Sequence, residues 1–155
     1  MSLSLSALRT AIAAQIETKL DASTQPANCY AYPPDSPELN AVLILPRSGP
    51  DGKYMEYHGT FHGSPQGALC TIALRVEIRC GGGQIDAAKA MDAYLSAGNA
   101  ESVVDALLAD PTLAAACETL SIGGASAPGW FASSDPTDAR TWLSSSFDID
   151  ISARR

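Results

Sequence analysis

Basic residues are scarce in this chain. Ten Lys and Arg stand against 17 Asp and Glu, a formal charge of −7 at pH 7. Nucleic-acid binding needs a basic stripe or patch. Only Arg154-Arg155 approaches one, and it is too short. Histidine is rarer still, with two residues in 155. The four cysteines, at 29, 70, 80 and 117, form no CxxC pair and no Cys/His ligand spacing, which argues against a zinc ribbon or a redox motif. Cys70 and Cys80 share one strand face but lie roughly 33 Å apart along it, so they cannot bond within that strand. Four buried, reduced thiols are expected. No apolar run approaches the ~20 residues of a membrane span. The start lacks the basic segment of a signal peptide, and Glu17 and Lys19 follow directly, so a protein made in the cytoplasm is expected.

What is present suits one domain over residues 1–155. Apolar residues make up 46% and charged residues 17%, which is core-forming material and not the composition of disorder. A domain of this length buries roughly 70% of the surface its unfolded chain exposes.

Two periods alternate along the chain. Leu5, Leu8, Ile12, Ile16 and Leu20 recur at helical steps and predict an amphipathic helix over 3–20, capped by Ser4 or Ser6. Residues 28–32 predict a short strand stopped by Pro33-Pro34. Residues 41–45 form a continuous apolar run whose length fits a strand buried on both faces. Turn residues at 47–52 and 63–67 separate this run from segments at 53–62 and 68–80, which predicts an antiparallel meander.

The stretch 68–80 has the clearest alternation. Even positions carry Cys70, Ile72, Leu74, Val76, Ile78 and Cys80. Odd positions carry Thr71, Ala73, Arg75, Glu77 and Arg79. Period two with one polar face predicts a sheet covered by helices on one side only. A helix is expected over 84–97, with Ile85, Ala88, Met91 and Leu95 inward, and a second over 102–109. Asp110-Pro111 ends that helix and opens a short turn, with Asp as its N-cap. A short strand at 119–122 precedes a Gly/Ala/Ser/Pro loop over 123–138 that contains Trp130-Phe131. The last strand, about 140–152, alternates Leu143, Phe147, Ile149 and Ile151 with Ser144, Ser146, Asp148 and Asp150. The expected fold class is α+β: a mixed, mainly antiparallel sheet with the N-terminal helix and a central helical pair packed on one face.

Chemical motifs are few. Gly81-Gly82-Gly83 follows a strand and precedes a helix, but it lacks both phosphate-loop spacings and reads as a plain turn. Glu56, His58 and His62 share strand parity, the start of a metal site at most, since a usable site needs further ligands at fixed geometry. Exposed hairpin histidines fit better. No GxSxG elbow marks a serine hydrolase. Asp148 and Asp150 form a carboxylate pair of the kind that does acid/base work or binds Ca²⁺. A solvated strand face or a polar subunit contact explains them more simply. Trp130 and Phe131 either anchor their loop or meet a partner. No catalytic residue, cofactor or metal is expected, and the chain reads as a non-enzyme.

The order of elements resembles the tail terminator (tail completion or neck) proteins of long-tailed bacteriophages. The resemblance is carried by the 3–20 helix, the proline-flanked strands from Cys29 to Leu45, and the strand ending Leu74-Arg75-Val76-Glu77-Ile78. It continues through Met91-Asp92-Ala93-Tyr94-Leu95, Ser102-Val103-Val104-Asp105-Ala106-Leu107-Leu108, and the tail from Thr141 to Ile151. The loop 123–138 and the histidine hairpin have no counterpart in the pattern.

The resemblance implies a structural virion protein of the tail or neck, assembled in the host cytoplasm as a ring of usually six copies. Such a ring caps the tail tube, ends its polymerisation and meets the head-tail connector or stopper. Viral DNA passes through its lumen without specific binding, and an acidic lumen suits that passage. The polar strand faces, with Arg75, Glu77, Arg79, Asp148 and Asp150, and the aromatics Trp130 and Phe131 are the candidate assembly surface. Two alternatives are a connector or minor tail protein of similar layout, and a small cytosolic ligand-binding or enzymatic α+β domain.

Overall fold

In the computed structural model, which describes residues 4–58 and 69–154, three helices cover one face of a seven-stranded mixed sheet. The α+β class and the N-terminal helix are as the sequence predicts. No described helix is long and apolar enough to cross a membrane.

Helix α1 (Leu5–Asp21) starts at Ser4, whose Oγ accepts from the Ala7 amide at 3.2 Å. That bond satisfies one of the amides a helix start leaves open. Leu8, Ile12, Ala13, Ile16 and Leu20 are buried at the expected helical steps. The sheet comprises β1 (Asn28–Tyr30), β2 (Ala41–Pro46), β3 (Met55–His58), β4 (Leu69–Cys80), β5 (Thr119–Ala125), β6 (Gly129–Ala132) and β7 (Thr141–Arg154). Helices α2 (Gln84–Leu95) and α3 (Val103–Ala109) lie between β4 and β5 in sequence.

The centre of the sheet is the antiparallel pair β4–β7, in register from Leu69↔Arg154 to Cys80↔Leu143. Each outer edge of this pair is tiled by two shorter strands. On β4, β2 pairs with residues 74–79 and β3 with 69–72. On β7, β5 and β6 occupy successive lengths. The expected meander is therefore corrected. The β2–β3 connection does not fold one strand back on the other. It carries the chain along one edge of β4, with the Tyr54 carbonyl accepting from Ala73 N and the Arg47 amide donating to Ala73 O. The expected turn at 63–67 lies outside the described residues.

Alternation then fixes the layers. The even side chains of β4 from Cys70 to Cys80 are completely buried. They meet Phe147, Ile149 and Ile151 of β7 across the ladder and share one core with α1, α2 and α3. A one-residue slip would turn this whole set outward, so the register is strongly specified. In β2, Ala41 to Ile44 are all buried, as a strand covered on both faces should be.

Helix α2 departs from its expected face. Ala87, Ala90, Met91 and Tyr94 face the core, while Ile85 is 71% exposed. The Tyr94 hydroxyl makes this inward face possible. It donates to the carbonyls of Gln25 (3.1 Å) and Pro26 (3.3 Å) and accepts from Asn40 Nδ2 (3.5 Å), so a phenol tip is buried without being orphaned. Ser102 caps α3 by accepting from Asp105 N at 3.0 Å. Asp110 does gather the following turn, accepting from Thr112 N and Ala114 N. The turn itself runs left-handed, with positive φ at Leu113, Ala114 and Ala115.

The loop expected over 123–138 contains β6, which carries Trp130 and Phe131. A four-residue strand in a Gly/Pro-rich stretch has little propensity of its own. Pairing with β7 supplies its order.

Candidate assembly surface

Among the described residues, helices cover only the even side of β4. The opposite side holds the odd residues of β4 and the even residues of β7. Its central ionic groups satisfy one another. Arg75 Nε donates to Asp148 at 3.1 Å, directly across the β4–β7 ladder. Arg47, whose side chain is only 11% exposed, reaches over from the end of β2. It lies 3.5 Å from Asp148 and donates through Nη2 to Asp150. Arg79 Nε donates to Glu77 at 2.6 Å, and Glu77 accepts from Ser144 Oγ. Three arginines thus stand against three carboxylates, and the centre of this face is formally neutral on a chain of charge −7.

An aromatic end adjoins the charged centre. Phe131 pairs with Trp142 across β6–β7, and the Arg79 guanidinium lies over the Trp142 ring at 4.9 Å. A cation against a ring face is favourable at this distance. Arg75, Glu77, Arg79, Phe131 and Trp142 line one concavity of about 390 Å³, with Ser126, Ser144 and Ser146 on its walls. Beyond Trp142, Arg140 Nη1 donates to the Pro37 carbonyl and so ties the 33–39 connector to this end. Arg140 also holds the Asp138 carboxyl down to about 2.

All the expected surface residues can now be placed. Arg75, Glu77, Arg79, Asp148 and Asp150 share the open face, joined into two ionic groups. Phe131 belongs to the same face and is 56% exposed. Trp130, 46% exposed, pairs with Leu143, whose side belongs to the core, so strand alternation puts Trp130 on the opposite side from Phe131. The sequence reading missed two residues. Arg47 sits in a turn cluster, and nothing local reveals its reach. Trp142 was legible, because it has the same parity as Ser144 and Asp148.

The other chemical candidates separate. His58 Nε2 lies 3.1 Å from Thr71 Oγ1, Glu56 accepts from Lys53, and His62 lies outside the described residues. Among the described residues no group of three His, Cys, Asp or Glu side chains is arranged to hold a metal. The cysteines are all free thiols. Burial pushes Cys29 and Cys80 up to about 12, far from the range of a reactive thiolate.

The face can therefore bind through shape, aromatic contact and paired guanidinium and carboxylate groups. Comparison with protein-family models found no match, and comparison with curated proteins found none either.

Proposed function

We propose that this chain is a structural, non-enzymatic protein of a long-tailed phage virion. It assembles as a ring, caps the tail tube, stops tube polymerisation and presents a surface to the head-tail connector. DNA passes through the ring without specific contacts.

The open sheet face carries this proposal. Among the described residues no helix lies over one side of the β4–β7 pair, its charges cancel locally, and it ends in Trp142 and the half-exposed Phe131. Neutral, aromatic-edged surfaces suit protein–protein contact, where interface cores lose net charge and gain aromatic residues and arginine. The order of elements resembling tail terminators supplies the kind of assembly. The acidic remainder of the chain suits a lumen that DNA must slide through.

Two measurements test the role. Light scattering of the purified chain, alone and with tail-tube protein, should give a multimer in at least one case. A strict monomer in both would end the proposal. Particles made without the protein should have overlong tails in electron micrographs. Tails of normal length that fail to join heads would instead assign a connector.

A further inference from the structure

The two sides of the molecule carry matching patterns. On the open face, β4 presents Arg75, Glu77 and Arg79 in line, with the Phe131–Trp142 pair beyond Arg79. Helix α2, on the opposite side of the sheet, exposes Ile85, Asp86, Lys89 and Asp92. At 100° per residue these four fall within an arc of about 120°. None of the three charged residues takes part in an ion pair among the described residues. Among the described residues Ile85 is the most exposed of the large hydrophobics.

Read in order, the sheet offers aromatic pair, plus, minus, plus. The helix offers aliphatic, minus, plus, minus. Laid together, Ile85 meets Phe131 and Trp142, Asp86 meets Arg79, Lys89 meets Glu77, and Asp92 meets Arg75. The lengths are close. Arg75 to Arg79 spans roughly 13 Å of strand, and Asp86 to Asp92 rises roughly 9 Å along the helix, a mismatch that arginine and lysine side chains can bridge.

We propose that the exposed face of α2 in one copy of this chain docks in the β4–β6–β7 concavity of the next. The proposal rests on the assembly role given above and specifies its contact. The two surfaces lie on opposite sides of one sheet, so a single molecule cannot satisfy both itself. Each copy gives its helix to one neighbour and its sheet to another. Such a heterologous contact closes into a ring when the rotation between copies allows it. Complementary charge order sets the register and rejects reversed docking.

A charge-swap experiment tests it on the full chain by light scattering. Lys89→Glu sets like charges against Glu77 of the neighbour, and Glu77→Lys sets them against Lys89. Each variant alone should associate on the order of a hundredfold more weakly. An equal mixture restores opposite charges at every contact of a ring in which the two variants alternate, and should assemble like the wild type. Ile85→Asp, at a site with no role in the core, should dissociate the assembly with an unchanged melting temperature. If Glu77→Lys unfolds through loss of its Arg79 and Ser144 bonds, Phe131→Ser replaces it as the sheet-side arm and should weaken assembly as Ile85→Asp does. Assembly unaffected by Lys89→Glu and Ile85→Asp overturns the α2 contact while leaving ring formation intact. A wild-type chain monomeric with and without tail-tube protein overturns both.

Discussion

Tyr94→Phe separates a hydrogen-bond contribution from an ionisation contribution at one buried atom. The Tyr94 hydroxyl ties α2 to the Gln25 and Pro26 carbonyls and to Asn40, whose Oδ1 in turn accepts from Gly81 N. At pH 7 the phenylalanine variant should lose about 1–3 kcal/mol, because the buried partners are left unsatisfied.

Alkaline pH should reverse the trend. Burial pushes the Tyr94 phenol from 10.0 up to about 12, against the smaller downward pull of the Asn40 hydrogen bond. Between those values the unfolded chain has released the proton and the native chain still holds it. Native protein therefore binds more protons, and stability falls as pH rises, by about 1.4 kcal/mol for each unit above 10. The variant lacks this loss, and the cysteines are common to both proteins. Urea unfolding under reducing conditions, followed by circular dichroism at pH 7, 9 and 11, measures the difference. It should be constant from pH 7 to 9 and shrink by about 1.4 kcal/mol at pH 11. A difference that does not change with pH would refute a buried, neutral phenol.

Four further substitutions probe the same architecture by urea unfolding. Gln15→Ala removes a side-chain amide that donates to the carbonyls of Ala106, Leu107 and Asp110 at the end of α3. It should cost about 1–3 kcal/mol, and no measurable loss would mean that water replaces it. Leu74→Ala, at a fully buried position opposite Ile149, should cost about 2–5 kcal/mol, whereas Ile85→Ala should stay within about 0.5 kcal/mol. Equal effects would contradict the assigned face of α2. Ser102→Ala should cost about 1 kcal/mol through loss of the α3 cap, and a neutral result would mean that the cap does not hold α3.

Strong periodicity made the centre of this fold legible. In β4 every second residue from Cys70 to Cys80 is apolar, and β7 keeps the alternation from Leu143 to Ala153 except at the inward Ser145, so parity gives the buried face, and α1 repeats the lesson at helical steps. Helix α2 was misread for a physical reason. Ile85 is apolar and falls in phase with Met91, yet the inward face is built from small alanines and a tyrosine whose hydroxyl finds partners far away in sequence. Strand β6 was illegible because its order comes from β7. Within the candidate surface, parity placed Arg75, Glu77, Arg79, Asp148 and Asp150 together. Their mutual pairing, and the arrival of Arg47 from a turn, are tertiary facts that no local pattern encodes.

The place of β7 has a consequence for synthesis. It is the last of the described elements, yet it lies inside the sheet, between β4 and the β5–β6 edge. Until residues 141–154 leave the ribosome, β4 has no partner on one of its edges and β5 and β6 have none at all. At about 5–20 residues per second, the interval between finishing β4 and finishing β7 is several seconds or more. Throughout it, an alternating apolar strand is available to the wrong neighbour. The sheet closes only once β7 has emerged, through contacts more than sixty residues apart, the kind of non-local pairing that slows folding.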